Sequence, residues 1–213
     1  MSFLGRVPGS CPNGCEAGEY EVWSFVRGDK DDNLRLALLT GELNLVICDN
    51  CRQPFFPDSC LVYVDKRAAM TAFVFPESYR VEEAKWRSKM AEDFKAMKET
   101  LGSDMTLGAE PELYFGYEAL RQALQGDDDR EDEAAVGEWL LKGLKLVPFY
   151  VDPAYARSKG LPRYVPLAGP KWSAEAARAG VDALLKANDR LVSFEGWRKL
   201  IDAGEKPPAR KSP

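Results

Sequence analysis

The residues best placed to do chemistry in this 213-residue chain are its cysteines. Cys11 and Cys15 close a C-P-N-G-C run, Cys48 and Cys51 close a C-D-N-C run, and 32 residues separate the two pairs. Two tight pairs at such a distance can meet at one point if each sits on a turn and the chain between them folds back. Four thiolates suit zinc, a borderline-soft ion that favours a closed tetrahedral shell in structural sites. The expectation is one structural Zn2+ held by Cys11, Cys15, Cys48 and Cys51, organising residues 9–76. The same residues carry three competing readings. A rubredoxin-like iron centre uses an identical ligand set. A redox dithiol is disfavoured, because C-D-N-C lacks the strand-to-helix placement of thioredoxin-type sites. A vestigial site would leave the cysteines as small buried hydrophobes. Cys60, within an apolar strand, reads as core packing.

The chain contains no histidine. Every Ser-His or Cys-His pair, every imidazole ligand and the usual general base are therefore excluded. A catalytic zinc needs an open position, which four cysteines would close. The reading is a protein that is not an enzyme.

Other clusters carry weaker chemistry. Asp127, Asp128, Asp129, Glu131, Asp132 and Glu133 lack the alternating ligand spacing and central glycine of a calcium loop, so they read as a solvated acidic turn. Gly41 and Gly116 read as turn glycines, and the five tryptophans as core and edge packing rather than a base-stacking surface.

The elements that must position the cysteines follow from local pattern. Glu19–Arg27 (EYEVWSFVR) is rich in aromatic and β-branched residues and reads as a strand. A helix is expected over Asp32–Thr40, capped at its start by Asp31, Asp32 or Asn33 and ended by Gly41. Leu43–Ile47 reads as a strand delivering the second pair. Cys60–Val64 and Met70–Phe75 read as a hairpin. From Ser78 to Thr100, apolar residues from Val81 to Leu101 recur at three- and four-residue spacing, predicting an amphipathic helix with Gly102 beyond its end. A short strand over Glu112–Phe115 leads to a helix from Tyr117 to Leu124. The acidic run Gly126–Glu133 reads as a turn, or as the first turn of a further helix through Ala134–Lys145. Five prolines make Val147–Lys171 an extended connector. Ser173 caps a helix over Ala174–Asn188, a last helix spans Phe194–Ala203, and Glu205–Pro213 is a frayed tail.

With these elements in place, the sequence resembles the CpXC domain of bacterial proteins. The resemblance rests on S-C-P-N-G-C, Y-E-V-W-S-F-V, L-L-T-G-E-L-N-L-V-I-C-D-N-C and L-V-Y-V-D-K in that order. It covers about residues 9–133 and is strongest up to Pro76. It implies a metal-binding domain and no particular activity. The chain departs from the pattern at one point: the family name describes a C-P-x-C pair, whereas Cys11 and Cys15 enclose one residue more. The extra residue must bulge the first turn, which Asn13 and Gly14 can absorb.

The formal net charge of −5 hides a segregation. Residues 1–60 carry −4, residues 81–133 carry −8 and residues 134–213 carry +6. The fold class is therefore read as α+β: a zinc-ribbon-like domain with a small antiparallel β-sheet and a helical extension over residues 1–133. A basic, Pro-interrupted, mainly helical segment over 134–213 is expected to pack on it. The expected role is a protein-interaction module, alone or as a homodimer through the long helices. A transcription-associated or nucleic-acid-binding role is the alternative, disfavoured because the ribbon is acidic and DNA affinity needs positive charge at the phosphate contacts. The start of the chain lacks the apolar run of a signal peptide, and no stretch reaches the ~20 apolar residues of a membrane helix. The expected location is the cytoplasm, without membrane contact.

Overall fold

The computed structural model describes residues 2–100 and 110–210. The expected helix end at Leu101–Gly102 and the last three residues of the tail lie outside them. The chain divides into two compact units, Met1–Leu124 and Gln125–Pro213.

The first unit is built on a five-stranded mixed sheet in the order β1-β2-β5-β6-β7. Strand β1 (Phe3–Gly9), which the sequence did not reveal, pairs antiparallel with β2 (Gly18–Arg27), from Gly9 opposite Gly18 to Phe3 opposite Phe25. Strands β5 (Leu61–Asp65) and β6 (Met70–Phe75) form the expected hairpin. The buried Asp65 carboxylate closes its turn by accepting from the Arg67 N–H at 2.9 Å and from the Ala68 N–H at 3.3 Å. The expectation of a small antiparallel sheet fails, because β2 and β5 are parallel, as are β6 and β7 (Glu112–Phe115). Parallel neighbours need a long crossover, and the chain supplies two. Helix α1 (Asp32–Thr40) and the small hairpin of β3 (Val46–Ile47) and β4 (Pro54–Phe55) separate β2 from β5. Helix α2 (Glu83–Thr100) lies in the crossover from β6 to β7.

Period-two alternation along β6 serves two cores. Met70, Ala72 and Val74 join Leu38 of α1 with Leu120 and Leu124, whereas Phe73 and Phe75 join Met90 and Phe94 of α2. Helix α1 has the expected bounds: Asp31 accepts from the Leu34 N–H, and Gly41 ends it in the left-handed region at φ 77°. Helix α2 starts later than expected. Glu77–Glu82 is a tighter 3-10 turn, and Val81 is 90% exposed rather than on the apolar face.

Helix α3 (Tyr117–Leu144) runs without interruption through the residues expected to form an acidic turn. Asp127 is only 4% exposed, not solvated. Its carboxylate meets Arg157 Nε at 2.7 Å, Arg130 at 2.9 Å and Arg163 at 3.0 Å, and this neutralisation lets the acidic run stay helical.

In the second unit the expected extended connector is folded. Strands β8 (Val147–Tyr150) and β9 (Tyr164–Leu167) pair antiparallel with Pro148 opposite Pro166, and α4 (Pro153–Lys159) lies between them. Helices α5 (Ala174–Ala187) and α6 (Phe194–Asp202) complete a core around Trp197, Tyr164, Phe194 and Leu184. Ser173 caps α5 as expected, accepting from the Ala176 N–H. At Gly180 a Cβ would stand 2.2 Å from the Pro166 carbonyl oxygen, so only glycine lets α5 approach β9 this closely. The tail is not frayed up to Arg210: Asp152 N–H donates to Pro208 O, and Arg210 N–H to Tyr150 O. Trp139 does not pack in the core, because α3 turns Leu141 inward and leaves the indole 77% exposed.

Candidate metal centre

Each cysteine pair sits on a turn set by local sequence. In the loop between β1 and β2, Gly14 N–H donates to Cys11 O at 2.9 Å, and Gly14 takes φ 73°. A Cβ there would meet nothing within 4 Å, so glycine is required by backbone conformation rather than by space. The second pair lies at the tip of the β3–β4 hairpin. Arg52 N–H donates to Cys48 O at 2.9 Å, Cys48 N–H donates to Gln53 O at 3.0 Å, and Arg52 takes φ 61°.

The hairpin is held against β2 by a residue whose role the strand pattern concealed. The sequence suggested a strand from Leu43 to Ile47, but only Val46–Ile47 is one. Asn44 is buried in a left-handed conformation, φ 63°. Its side-chain amide imitates a neighbouring strand: Trp23 N–H donates to Oδ1 at 2.7 Å, and Nδ2 donates to Trp23 O at 2.9 Å. Nδ2 also reaches the Tyr117 hydroxyl, which shares a 2.7 Å hydrogen bond with Ser59. The G-E-L-N turn therefore fixes the hairpin's take-off from α1, with the N–H groups of Glu42 and Leu43 both donating to Ala37 O.

These two turns bring all four expected ligands together. The sulfurs of Cys11, Cys15, Cys48 and Cys51 lie within 4.8 Å of one another, with Cys11 and Cys51 3.4 Å apart. Cys11 and Cys48 are buried, Cys15 is half-buried and Cys51 faces solvent. Phe55, Tyr20 and Val46 pack around them, the Tyr20 and Phe55 rings edge to face at 5.2 Å. Cys60 lies apart from this group and is exposed, so it is not the core residue expected from its strand.

The thiols hold their protons unequally. The Gln53 N–H, then the Cys11 sulfur, lower Cys51 to about 6. The Cys51 sulfur, followed by burial, pushes Cys15 up to about 12. At Cys11 the Asn13 N–H acts to lower the value, but burial and the sulfurs of Cys51 and Cys48 together outweigh it and leave the thiol raised. Thiols that crowd and perturb one another in this way form a cluster able to hold a metal ion. The Asn13 side chain also approaches Cys51, donating to its sulfur at 3.5 Å. Among the described residues the acidic run of α3 forms no comparable group.

Residues 10–133, more than half of the chain, match the family model described as CpXC protein. The chain belongs to the CpXC family. No curated protein and no solved structure matches it. The matched segment of this CpXC protein contains both cysteine pairs, Trp23, Asn44 and Tyr117. The extra residue in its first pair is absorbed at Gly14, and the Cys11 and Cys15 sulfurs still converge with the other two. Asn44, Tyr20 and Phe55 are site-supporting residues that spacing alone did not single out. The signal available for Asn44 was an asparagine interrupting an otherwise apolar L-x-L-V-I run. Among the described residues, no helix is long and apolar enough to cross a membrane.

Proposed function

We propose that this CpXC protein is a non-enzymatic protein-interaction module whose cysteine knuckles are held by a structural Zn2+. The convergence of four sulfurs within 4.8 Å carries this reading. A tetrahedron of ~2.3 Å zinc–sulfur bonds has sulfurs about 3.8 Å apart, so small side-chain adjustments bring the set onto one ion. Knuckle amides support it further, since the Asn13 and Gln53 N–H groups point at the Cys11 and Cys51 sulfurs and would stabilise thiolate charge. Four thiolates fill the shell and leave zinc no position for substrate or water.

A cleft of about 580 Å³ beside α1 and the start of α3 also fits a non-catalytic role. Its polar groups are already engaged with one another, as Ser59 with Tyr117, Arg80 with Glu77 and Arg121 with Glu118. The reading places the protein in the cytoplasm, where reduced thiols remain available to metal.

The test is elemental analysis of protein purified under reducing conditions without added metal, combined with its visible spectrum. The expected result is about one zinc per chain and no visible absorption. Folded, reduced protein without metal would refute the site, and a coloured iron-loaded protein would refute zinc.

A further inference from the structure

The outward face of helix α3 has the features of a self-complementary surface. At about 100° per residue, Asp132, Ala135, Val136, Trp139, Lys142 and Gly143 share one side of the helix. All six are exposed, Trp139 at 77% and Val136 at 47%. Exposed on the same stripe, Trp139 and Val136 are more than a lone surface hydrophobe, and tryptophan is among the side chains enriched at interface hot spots. Small residues stand one turn to either side of it, Ala135 and Gly143. A Cβ at Gly143 would meet nothing within 4 Å, so packing inside the chain does not demand a glycine there. Acid lies towards the start of the stripe and base towards its end. Among the described residues, neither Asp132 nor Lys142 joins an ion pair within its own chain.

We propose that this face binds a second copy of the same chain, α3 against α3 in antiparallel orientation. Facing residues in an antiparallel helix pair have a constant sum of residue numbers. Setting Asp132 opposite Lys142 of the second copy therefore places Trp139 opposite Ala135 of that copy. Two-fold symmetry repeats both contacts, which is what an isologous interface requires. One choice of register thus satisfies the charges and also seats each large side chain over a small one. Parallel pairing would set Asp132 against Asp132 and Lys142 against Lys142, so charge selects the antiparallel form. A seam of one helix per copy is at the small end of specific interfaces, so the dimer is expected to be in the micromolar range. This surface lies in the second unit, and the inference does not depend on the metal reading.

Sedimentation equilibrium of the full-length protein over a concentration series tests it. The wild type should show a reversible monomer–dimer equilibrium. Asp132→Lys and Lys142→Asp should each weaken it by roughly tenfold or more, because each makes the facing pairs like-charged. An equimolar mixture of these two variants should regain wild-type association, since every facing pair is then opposite in charge. Trp139→Ala should weaken dimerisation by roughly tenfold or more. The substituted side chains are exposed, and recovery on mixing cannot arise from misfolded variants. A wild type that stays monomeric, single variants that associate as well as wild type, or a mixture no better than its components would each overturn the proposal.

Discussion

Stripping the metal from the reduced protein with a chelator should open the two cysteine turns and leave the main sheet intact. The apolar group around the sulfurs is small: Phe55 is buried, and Tyr20 and Val46 are partly so. Burying Phe55 contributes about 1.5–3 kcal/mol, and the two partly buried side chains add about as much again. Four-cysteine zinc binding contributes on the order of 10–16 kcal/mol, so the metal outweighs local packing by roughly a factor of two or more. The sheet does not share this dependence. Its two faces are closed by Val26, Leu61, Tyr63 and Met70 on one side and by Phe73, Phe75, Met90 and Phe94 on the other, none of which belongs to the sulfur group. The sequence alone suggested that zinc organises all of residues 9–76, whereas the packing predicts that a bound metal would act mainly on the β1–β2 loop and the β3–β4 hairpin. Hydrogen exchange read by mass spectrometry, with and without chelator, separates the two outcomes. Peptides covering Ser10–Tyr20 and Val46–Pro57 should lose protection while those covering Leu61–Phe75 keep it, and Cys48→Ser should reproduce the pattern. Unchanged protection at the β3–β4 hairpin would refute the metal's role, and equal loss throughout β5 and β6 would refute the confinement.

Metal affinity should rise with pH through the neutral range. Cys11 and Cys15 are raised and must each release a proton on binding, so affinity should change by roughly a hundredfold or more per pH unit, more steeply below about 6 as Cys51 also protonates. Competition against a chromophoric chelator measures this, and a flat profile would show that the thiols are not the ligands. Separately, Asp127→Ala should destabilise the second unit by about 3–5 kcal/mol in denaturant titrations, because Arg157, Arg130 and Arg163 all lose the buried carboxylate they share. A loss below about 1 kcal/mol would mean that these pairs are effectively solvated.

What the sequence made legible was local. Helix α1 could be bounded to the residue because its ends carry their own chemistry, an Asp31 carboxylate accepting from Leu34 and a glycine in the left-handed region. Strand β7 has the expected bounds, Glu112–Phe115, and the turn glycine Gly116 follows it at φ 75°. The cysteine turns were equally self-contained, since a pair with only two or three residues between its cysteines determines its own turn. The approach of one turn to the other was inferable only in outline. It depends on Asn44 pairing with Trp23, a contact across 21 positions that no spacing rule encodes.

The failures share the opposite property. Gly126 followed by seven charged residues looks like a helix break, since like charges at helical spacing repel and glycine weakens the helix. The compensating cations Arg157 and Arg163 stand 30 and 36 residues later, so no window along the helix contains both the problem and its solution. The prolines misled for a related reason. Proline cannot donate to a ladder, yet Pro148 and Pro166 fall opposite each other in a two-stranded sheet, where their missing donors do not break the pairing of Val147 with Leu167 or Phe149 with Val165. Segregated charge was legible as a number but not as an arrangement. Part of the acid in residues 81–133 and part of the base in 134–213 meet in pairs such as Asp127 with Arg157 and Glu131 with Arg163. Among the described residues, Asp132 and Lys142 are left outside such pairs on the exposed face of the same helix. That residue of unmatched charge, set in order along an apolar stripe, favours recognition between two chains over stabilisation within one.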